Sequence, residues 1–245
     1  MAKGSDNKNS ITKHFLQRWW KWGKRIFLWL FLAQLFYIIL LKWVNPPITI
    51  TQLSSWKSGH GLKRDYIKGN SISPEARLAV IASEDQLFPD HNGFDWKSIK
   101  KAKKYNEKKP GRIRGASTIS QQVAKNVFLW QGRSWIRKGL EVYFTFMIEV
   151  LWGKKRILDV YLNVIEMGEG IFGIEKAATI YFNKPAKNLT RQEAAMIAAC
   201  LPSPRRYKVK PLSSFVAYRS KTIVRQMNNL LTDPDIVRVT GLPPP

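Results

Sequence analysis

Cysteine and acidic side chains are what this chain has least of. A single cysteine, Cys200, leaves no partner for an intramolecular disulfide and no set of thiolates for a zinc cluster. It sits in the run 194–201, where the plain reading is a small buried apolar residue. A disulfide-free chain suits the cytosol and an exported bacterial enzyme alike, so cysteine usage leaves the compartment open. Against 41 Lys+Arg there are 17 Asp+Glu, a net charge of +24. Such a field concentrates polyanions (nucleic acid, anionic lipid headgroups or diphosphates), and charge alone does not choose among them. Internal repeats are absent and strand-like alternation is scarce, which points away from repeat and all-β architectures and toward a mainly α fold.

What is present bounds the rest. At 245 residues and 28.3 kDa the chain can form one full domain plus an anchor, but not two large domains. A hydrophobic share of 44% excludes wholesale disorder. Residues 26–41 read IFLWLFLAQLFYIILL, with Gln34 the one strongly polar side chain. Adding Lys42, Trp43 and Val44 approaches the ~20 residues a helix needs to cross a bilayer, and Lys42 can snorkel to the interface. Trp19, Trp20 and Trp22 on one side and Trp43 on the other resemble interfacial belts. Bulky aromatics continue to the end of the run and Pro46-Pro47 follow, unlike the small-residue cleavage site of a signal peptide. A retained anchor is expected. Lys3, Lys8, Lys13, Arg18, Lys21, Lys24 and Arg25 precede it, so the N-terminus is expected in the cytoplasm and the rest outside. The expected layout is a basic cytoplasmic tail 1–25, a span 26–44, a connector 45–72 and a catalytic domain 73–245.

Within that domain, Ser73-Pro74 opens a helix through Ile81. Residues 96–114 are Lys-rich and end in Lys-Pro-Gly-Arg, which reads as a mobile, solvated stretch. Further helices are expected from about Thr118, over 134–152, over 155–165, near 175–182, from the Thr190/Glu193 capping box through Cys200, and over 215–231.

Two acidic positions break helix rules. Glu84 and Asp85 end an apolar helix, where the negative pole of the macrodipole disfavours carboxylates. Leu87, Phe88, Pro89, His91 and Gly93 follow. An acid against apolar surface at a helix C-terminus should have a raised pKa, as a general base working near neutrality requires; the plainer account is a solvated helix end. At the second position Arg137 and Glu141 stand at i, i+4, either a simple helix salt bridge or a phosphate-binding cation beside a second carboxylate. Ser117 and Thr118 stand at a helix N-terminus whose free N–H groups suit anions. Gln122 and Lys125, three apart, can offer an amide and an ammonium to one ligand.

The segments EDQLFPDHNGFD (84–95), GASTISQQVAKN (115–126), RKGLE (137–141) and KKRILDVYLN (154–163) resemble, in order, four motifs of the peptidoglycan glycosyltransferase family. GEGIFGIEKAATIYF (168–182) and LTRQEAAMIAACLPSP (189–204) are similar to its last conserved region. The resemblance covers roughly residues 73–207. It is to the monofunctional members, since no transpeptidase fits in the remaining ~40 residues and the serine-acylation motifs are missing, apart from the echo Ser98-Ile-Lys-Lys101. Asp159 departs from the family pattern, which usually has Glu there in a structural motif, so local packing is where a difference is expected.

The resemblance implies a lysozyme-like α-helical fold with donor and acceptor sites along one cleft. The implied donor is a growing glycan on undecaprenyl diphosphate, and lipid II is the implied acceptor. Glu84 would be the base, Glu141 a second carboxylate, and Lys125, Arg137 and Lys138 the cations that stabilise the departing diphosphate. Asp85, Phe88, His91, Ser117, Thr118, Gln122 and Asn126 match other positions of the family's cleft. The resemblance also implies Mg²⁺ or Mn²⁺ at the diphosphate, an attachment to the membrane, and other cell-wall or division proteins as partners. Two other readings stand beside it. A lysozyme-like lytic glycosidase would use carboxylates but needs no phosphate-binding cations. A membrane-tethered basic binding protein would need a polyanion on the outer face, and no nucleic-acid motif is present, so no nucleic acid is expected as a partner.

Overall fold

The computed structural model describes residues 5–109, 111, 115–132 and 134–243, with side chains from residue 18 onward. The chain divides into two units, residues 1–44 and 45–245. The first holds one helix, α1 (Ser5–Leu40). Its Arg18–Leu40 stretch, which reaches a mean hydropathy of 1.6 over 18 residues, is the one helix among the described residues long and apolar enough to cross a membrane. The helix stops four residues before the expected end of the span at 44. Lys42 and Trp43 donate their N–H groups to Ile39 and Leu40 carbonyls, the tight i→i−3 bonds of a closing turn, and Asn45 precedes a proline, a position that disfavours helix. On the other side the helix continues back through Trp22, Trp20 and Trp19, which alternate with the basic residues at 18, 21, 24 and 25.

The second unit is mainly α, as expected. Residues 45–72, expected as a connector with a short strand or two, hold a helix as well. Thr49 and Gln52 form a capping box (Gln52 N to Thr49 Oγ1 3.2 Å, Thr49 N to Gln52 Oε1 3.1 Å) that opens α2 (Ile50–Lys57). Strand β1 (Lys63–Arg64) follows. It pairs parallel with β3 (Ile171–Phe172), which pairs antiparallel with β2 (Glu166–Gly168), giving the sheet order β1-β3-β2. The turn between β2 and β3 requires Gly170: its φ is +66°, and a Cβ there would lie 2.1 Å from the His60 carbonyl oxygen.

Helix α3 (Pro74–Glu84) is capped by Ser73, as its Ser-Pro start suggested. The Lys-rich stretch after it differs from expectation: residues 96–108 form α4 (Trp96–Lys108), not a mobile loop. Asp95 caps it by accepting from Ser98 N at 2.9 Å, and unbranched lysines are good helix formers, so local terms suffice without much burial. Residues 110 and 112–114 of that stretch lie outside the described residues. Helices α5 (Ile119–Phe128), α6 (Trp135–Leu151), α7 (Lys154–Val164), α8 (Ile174–Phe182), α9 (Arg191–Cys200) and α10 (Ser214–Leu230) begin and end within a residue or two of the sequence expectation, and α11 (Pro234–Thr240) closes the fold.

Helix α9 packs on α3 and α10, and α5 on α6 and α7. Ala194, Ala195, Ala198 and Ala199 are all buried, and such small side chains let neighbouring helices approach closely. Cys200 is buried, as its apolar run implied. The shorter acid at 159 is absorbed by close packing. Arg77, itself buried, donates through Nε (3.1 Å) and Nη2 (2.9 Å) to Asp159 Oδ1, and through Nη1 to the Ile72 and Thr240 carbonyls. A Cβ on Gly69 would lie 2.1 Å from Asp159 Oδ2, so glycine leaves the space this carboxylate occupies.

Candidate active site

Every residue of α3 from Ala76 to Ala82 is buried, which fixes the helix so that its last residue, Glu84, reaches a cavity of about 730 Å³. Leu87 of the loop after α3, Ser98 and Lys101 of α4, Ser117 ahead of α5, and Arg219 and Gln226 of α10 also line it. Glu84 Oε2 accepts a hydrogen bond from Gln122 Nε2 at 2.9 Å, and Gln122 Oε1 accepts one from the fully buried Tyr161 hydroxyl at 3.2 Å. An amide oxygen can only accept, so Tyr161 donates, and the Gln122 N–H₂ is thereby aimed at Glu84. Burial raises the Glu84 pKa above 4.5. The Gln122 hydrogen bond and the charges of Arg219 and Lys125 oppose that rise, and Asp85 adds to it.

Asp85 faces inward and organises the loop behind the site. Its carboxylate accepts from Ile119 N at 3.0 Å, at the start of α5, and from His91 Nε2 at 3.0 Å. Gly93 N–H donates to His91 Nδ1 at 3.2 Å, so the ring proton sits on Nε2 and goes to Asp85. Thr118 caps α5 through Gln121 N and donates its hydroxyl to the Gly93 carbonyl at 2.7 Å. The 84–95 segment and the start of α5 are thus held as one piece. Three expected substrate contacts are not positioned to be such. Phe88 is fully buried beneath Lys154, whose Nζ lies 4.6 Å from the ring centroid; burying an aromatic ring is worth more to the core than a cleft contact. His91 turns toward Asp85, and the buried Asn126 donates back to the Gln122 carbonyl at 2.8 Å, an intrahelical bond.

On the other side of Gln122 lies the cationic group. Lys125, one turn along α5, has its pKa lowered by burial. Glu141 counters this, Arg137 and Lys138 add to it, and Glu84 counters it again, so this ammonium feels both carboxylates. Glu141 is buried on α6. Its Oε1 receives Lys138 Nζ at 2.5 Å, and its Oε2 lies 3.6 Å from Arg137 Nη1. The Arg137 Nε is buried with no hydrogen-bond partner among the described residues. A buried guanidinium N–H left open is costly unless a ligand completes it. Among the described residues no three His, Cys, Asp or Glu side chains converge to hold a metal ion.

Sequence reasoning did not find Tyr161, Arg219 or Gln226. Tyr161 sits inside the 154–163 motif, where nothing local separates a core tyrosine from one that orients a site. Arg219 and Gln226 are seven apart, two turns on one face of α10, but neighbouring Lys221 and Arg225 look equivalent in sequence.

Glu84 therefore stands where a polar cavity meets a cluster of cations, the layout of an acid–base group beside an anion-stabilising site. A family model described as Transglycosylase matches residues 50–228. A protein of Mannheimia succiniciproducens named biosynthetic peptidoglycan transglycosylase is 62% identical over 166 residues, covering 68% of this chain and 68% of that protein. One of the same name from Yersinia pestis is 47% identical over 228 residues, covering 90% of this chain and 94% of that protein. Another from Yersinia pseudotuberculosis is 48% identical over 222 residues, covering 88% and 92%. With the matched region reaching from α2 to α10 and enclosing both halves of the site, the chain belongs to the transglycosylase family and is a glycosyltransferase of peptidoglycan synthesis.

Proposed function

We propose that the chain polymerises lipid II into linear glycan strands on the outer face of the cytoplasmic membrane, releasing undecaprenyl diphosphate. The acceptor's 4-hydroxyl attacks the anomeric carbon of the lipid-linked donor with inversion. As the new C–O bond forms, Glu84 takes the hydroxyl proton, and the bond to diphosphate breaks with its electron pair leaving on the phosphate oxygen. Lys125, Arg137 and Lys138 stabilise that growing negative charge, and the open Arg137 N–H gives the phosphate a buried donor. Glu141, bound by Lys138 and Arg137, holds these cations in place. Gln122, oriented by Tyr161, keeps the Glu84 carboxylate turned toward the cavity, where Ser117 and Arg219 would contact the acceptor. Mg²⁺ or Mn²⁺, where used, would neutralise charge on the departing diphosphate, and Glu141 is the carboxylate that would hold it; none of these steps depends on it.

The observation that carries this reading is the position of Glu84, a carboxylate whose pKa burial raises, beside a cation cluster with an open donor. A retained α1, with basic residues before it, would keep the N-terminus inside and the catalytic unit at the bilayer surface, where both lipid-linked substrates arrive. Other wall-synthesis and division proteins are the partners such a location offers. The test is polymer formation from labelled lipid II. Lys125→Ala and Arg137→Ala each remove a charge-assisted contact worth roughly 1.5–3 kcal/mol, so rates below saturation should fall at least about tenfold. Near-normal rates in both variants would leave these cations without a role in the reaction.

A further inference from the structure

We propose that the lysine face of α4 rests on the phosphate headgroups of an anionic bilayer. At 100° per residue, Lys97, Lys100, Lys101, Lys103, Lys104 and Lys108 fall within one continuous arc. All six are exposed, and the single acid among them is Glu107. The opposite side carries Ser98, Ile99, Ala102, Tyr105 and Asn106, of which Ala102 alone is buried. Among the described residues no carboxylate pairs with any of the six lysines. Like charges at i, i+3 and i, i+4 destabilise a helix, and this one repeats them along its whole length while packing little against the body. An anionic surface turns that repulsion into attraction, because each lysine near it gains favourable energy. Trp96, 66% exposed and stacked on Phe94 at 5.8 Å, lies in the same arc, and tryptophan favours the headgroup level.

The dimensions favour a surface over a single anionic ligand. Thirteen residues span about 20 Å, several headgroups wide and longer than one diphosphate. Lys101 also lines the cavity that holds Glu84, so the helix joins the docking face to the mouth of the site. Set down on headgroups, α4 would hold that mouth at the level where a lipid-linked diphosphate emerges. This inference rests on the reading of the chain as a membrane enzyme.

The test uses the full chain in vesicles of phosphatidylcholine alone or mixed with phosphatidylglycerol. A nitroxide is placed at Lys104→Cys, with Lys187→Cys, an exposed position between α8 and α9, as the control; Cys200 is buried and stays unlabelled. In anionic vesicles, accessibility of the label at 104 to a water-soluble nickel chelate should fall several-fold and recover in molar salt. That drop should vanish when Lys97, Lys100, Lys103 and Lys108 are all changed to Gln. An equal response at 187, no dependence on phosphatidylglycerol, or equal protection by a soluble polyanion such as a short DNA duplex would overturn the proposal. Carbonate extraction of the same vesicles reports the anchor separately: if α1 is extracted while the response at 104 persists, the anchor reading fails and the docking face stands.

Discussion

Glu84 is a carboxylate whose environment works against its charge, and that has consequences for both rate and stability. Burial raises its pKa, so the acidic limb of the pH–rate profile should be displaced upward from that of a solvated glutamate. For stability the sign follows from linkage. The folded state binds its proton more tightly than the unfolded chain does, so ionising Glu84 costs stability as pH rises through the carboxylate range. Glu84→Gln removes that cost. The variant should melt at or above the wild-type temperature at neutral pH, lose this advantage in acid, and polymerise lipid II about 10²–10⁴-fold more slowly. A well-folded variant keeping more than about a tenth of the rate would pass the role to Glu141. Tyr161→Phe tests the next residue out. It removes the donor that fixes the Gln122 amide, weakening the hydrogen bond that lowers the Glu84 pKa. The acidic limb should shift to higher pH and kcat should fall, with KM little changed. A plain loss of stability with an unmoved pH profile would leave Tyr161 as core.

At the level of elements, the site depends on how α3, α5 and α7 are locked together. Asp85 at the end of α3 caps the start of α5, and Arg77 in the middle of α3 grips Asp159 of α7. The Arg77–Asp159 pair is buried on both sides, so removing one partner strands a charge. Arg77→Met should cost about 3–5 kcal/mol, whereas Arg77→Met with Asp159→Leu should recover much of it, because a buried ion pair is worth little more than well-packed apolar groups. Denaturant midpoints of both variants check this, and equal losses would show that the arginine's bonds to the Ile72 and Thr240 carbonyls matter more than the ion pair. Helix boundaries were largely legible in sequence wherever a cap coincided with apolar periodicity, as at Ser73-Pro74 and Thr190/Glu193. The α4 helix was not, because its stability comes from propensity and one cap rather than from a buried stripe. The Thr49/Gln52 box opening α2 was readable and lay inside a stretch taken for a connector.

Over the whole molecule, the apolar stretch of α1 and the basic residues that precede it concern location. The expectation is that the full chain stays in the membrane fraction after alkaline carbonate, and that a periplasm-dependent reporter fused after Pro245 is active. Release by carbonate or an inactive reporter would count against an uncleaved anchor with its N-terminus inside. The +24 charge is unevenly used: part of it lies before the span, part forms the cation cluster beside Glu84, and part covers α4.

The sequence by itself determined the mainly α fold, the apolar segment, the two carboxylates at 84 and 141 and the cations at 125, 137 and 138, because periodicity, caps and motif order are local properties of a chain. Which matched positions face the cavity was decided only by packing. Phe88, His91 and Asn126 share segments with Glu84 and Gln122, yet they turn into the core, toward Asp85 or along their own helix, since burial and hydrogen-bond satisfaction are settled by neighbours distant in sequence. The same holds for Tyr161, Arg219 and Gln226, brought to the site from α7 and α10, 39 residues beyond Gln122 in the first case. No spacing rule connects such positions; α7 packs on α5 and α10 on α3 because their apolar faces need one another, and those two contacts aim the tyrosine at Gln122 and bring the charge of Arg219 to bear on Glu84.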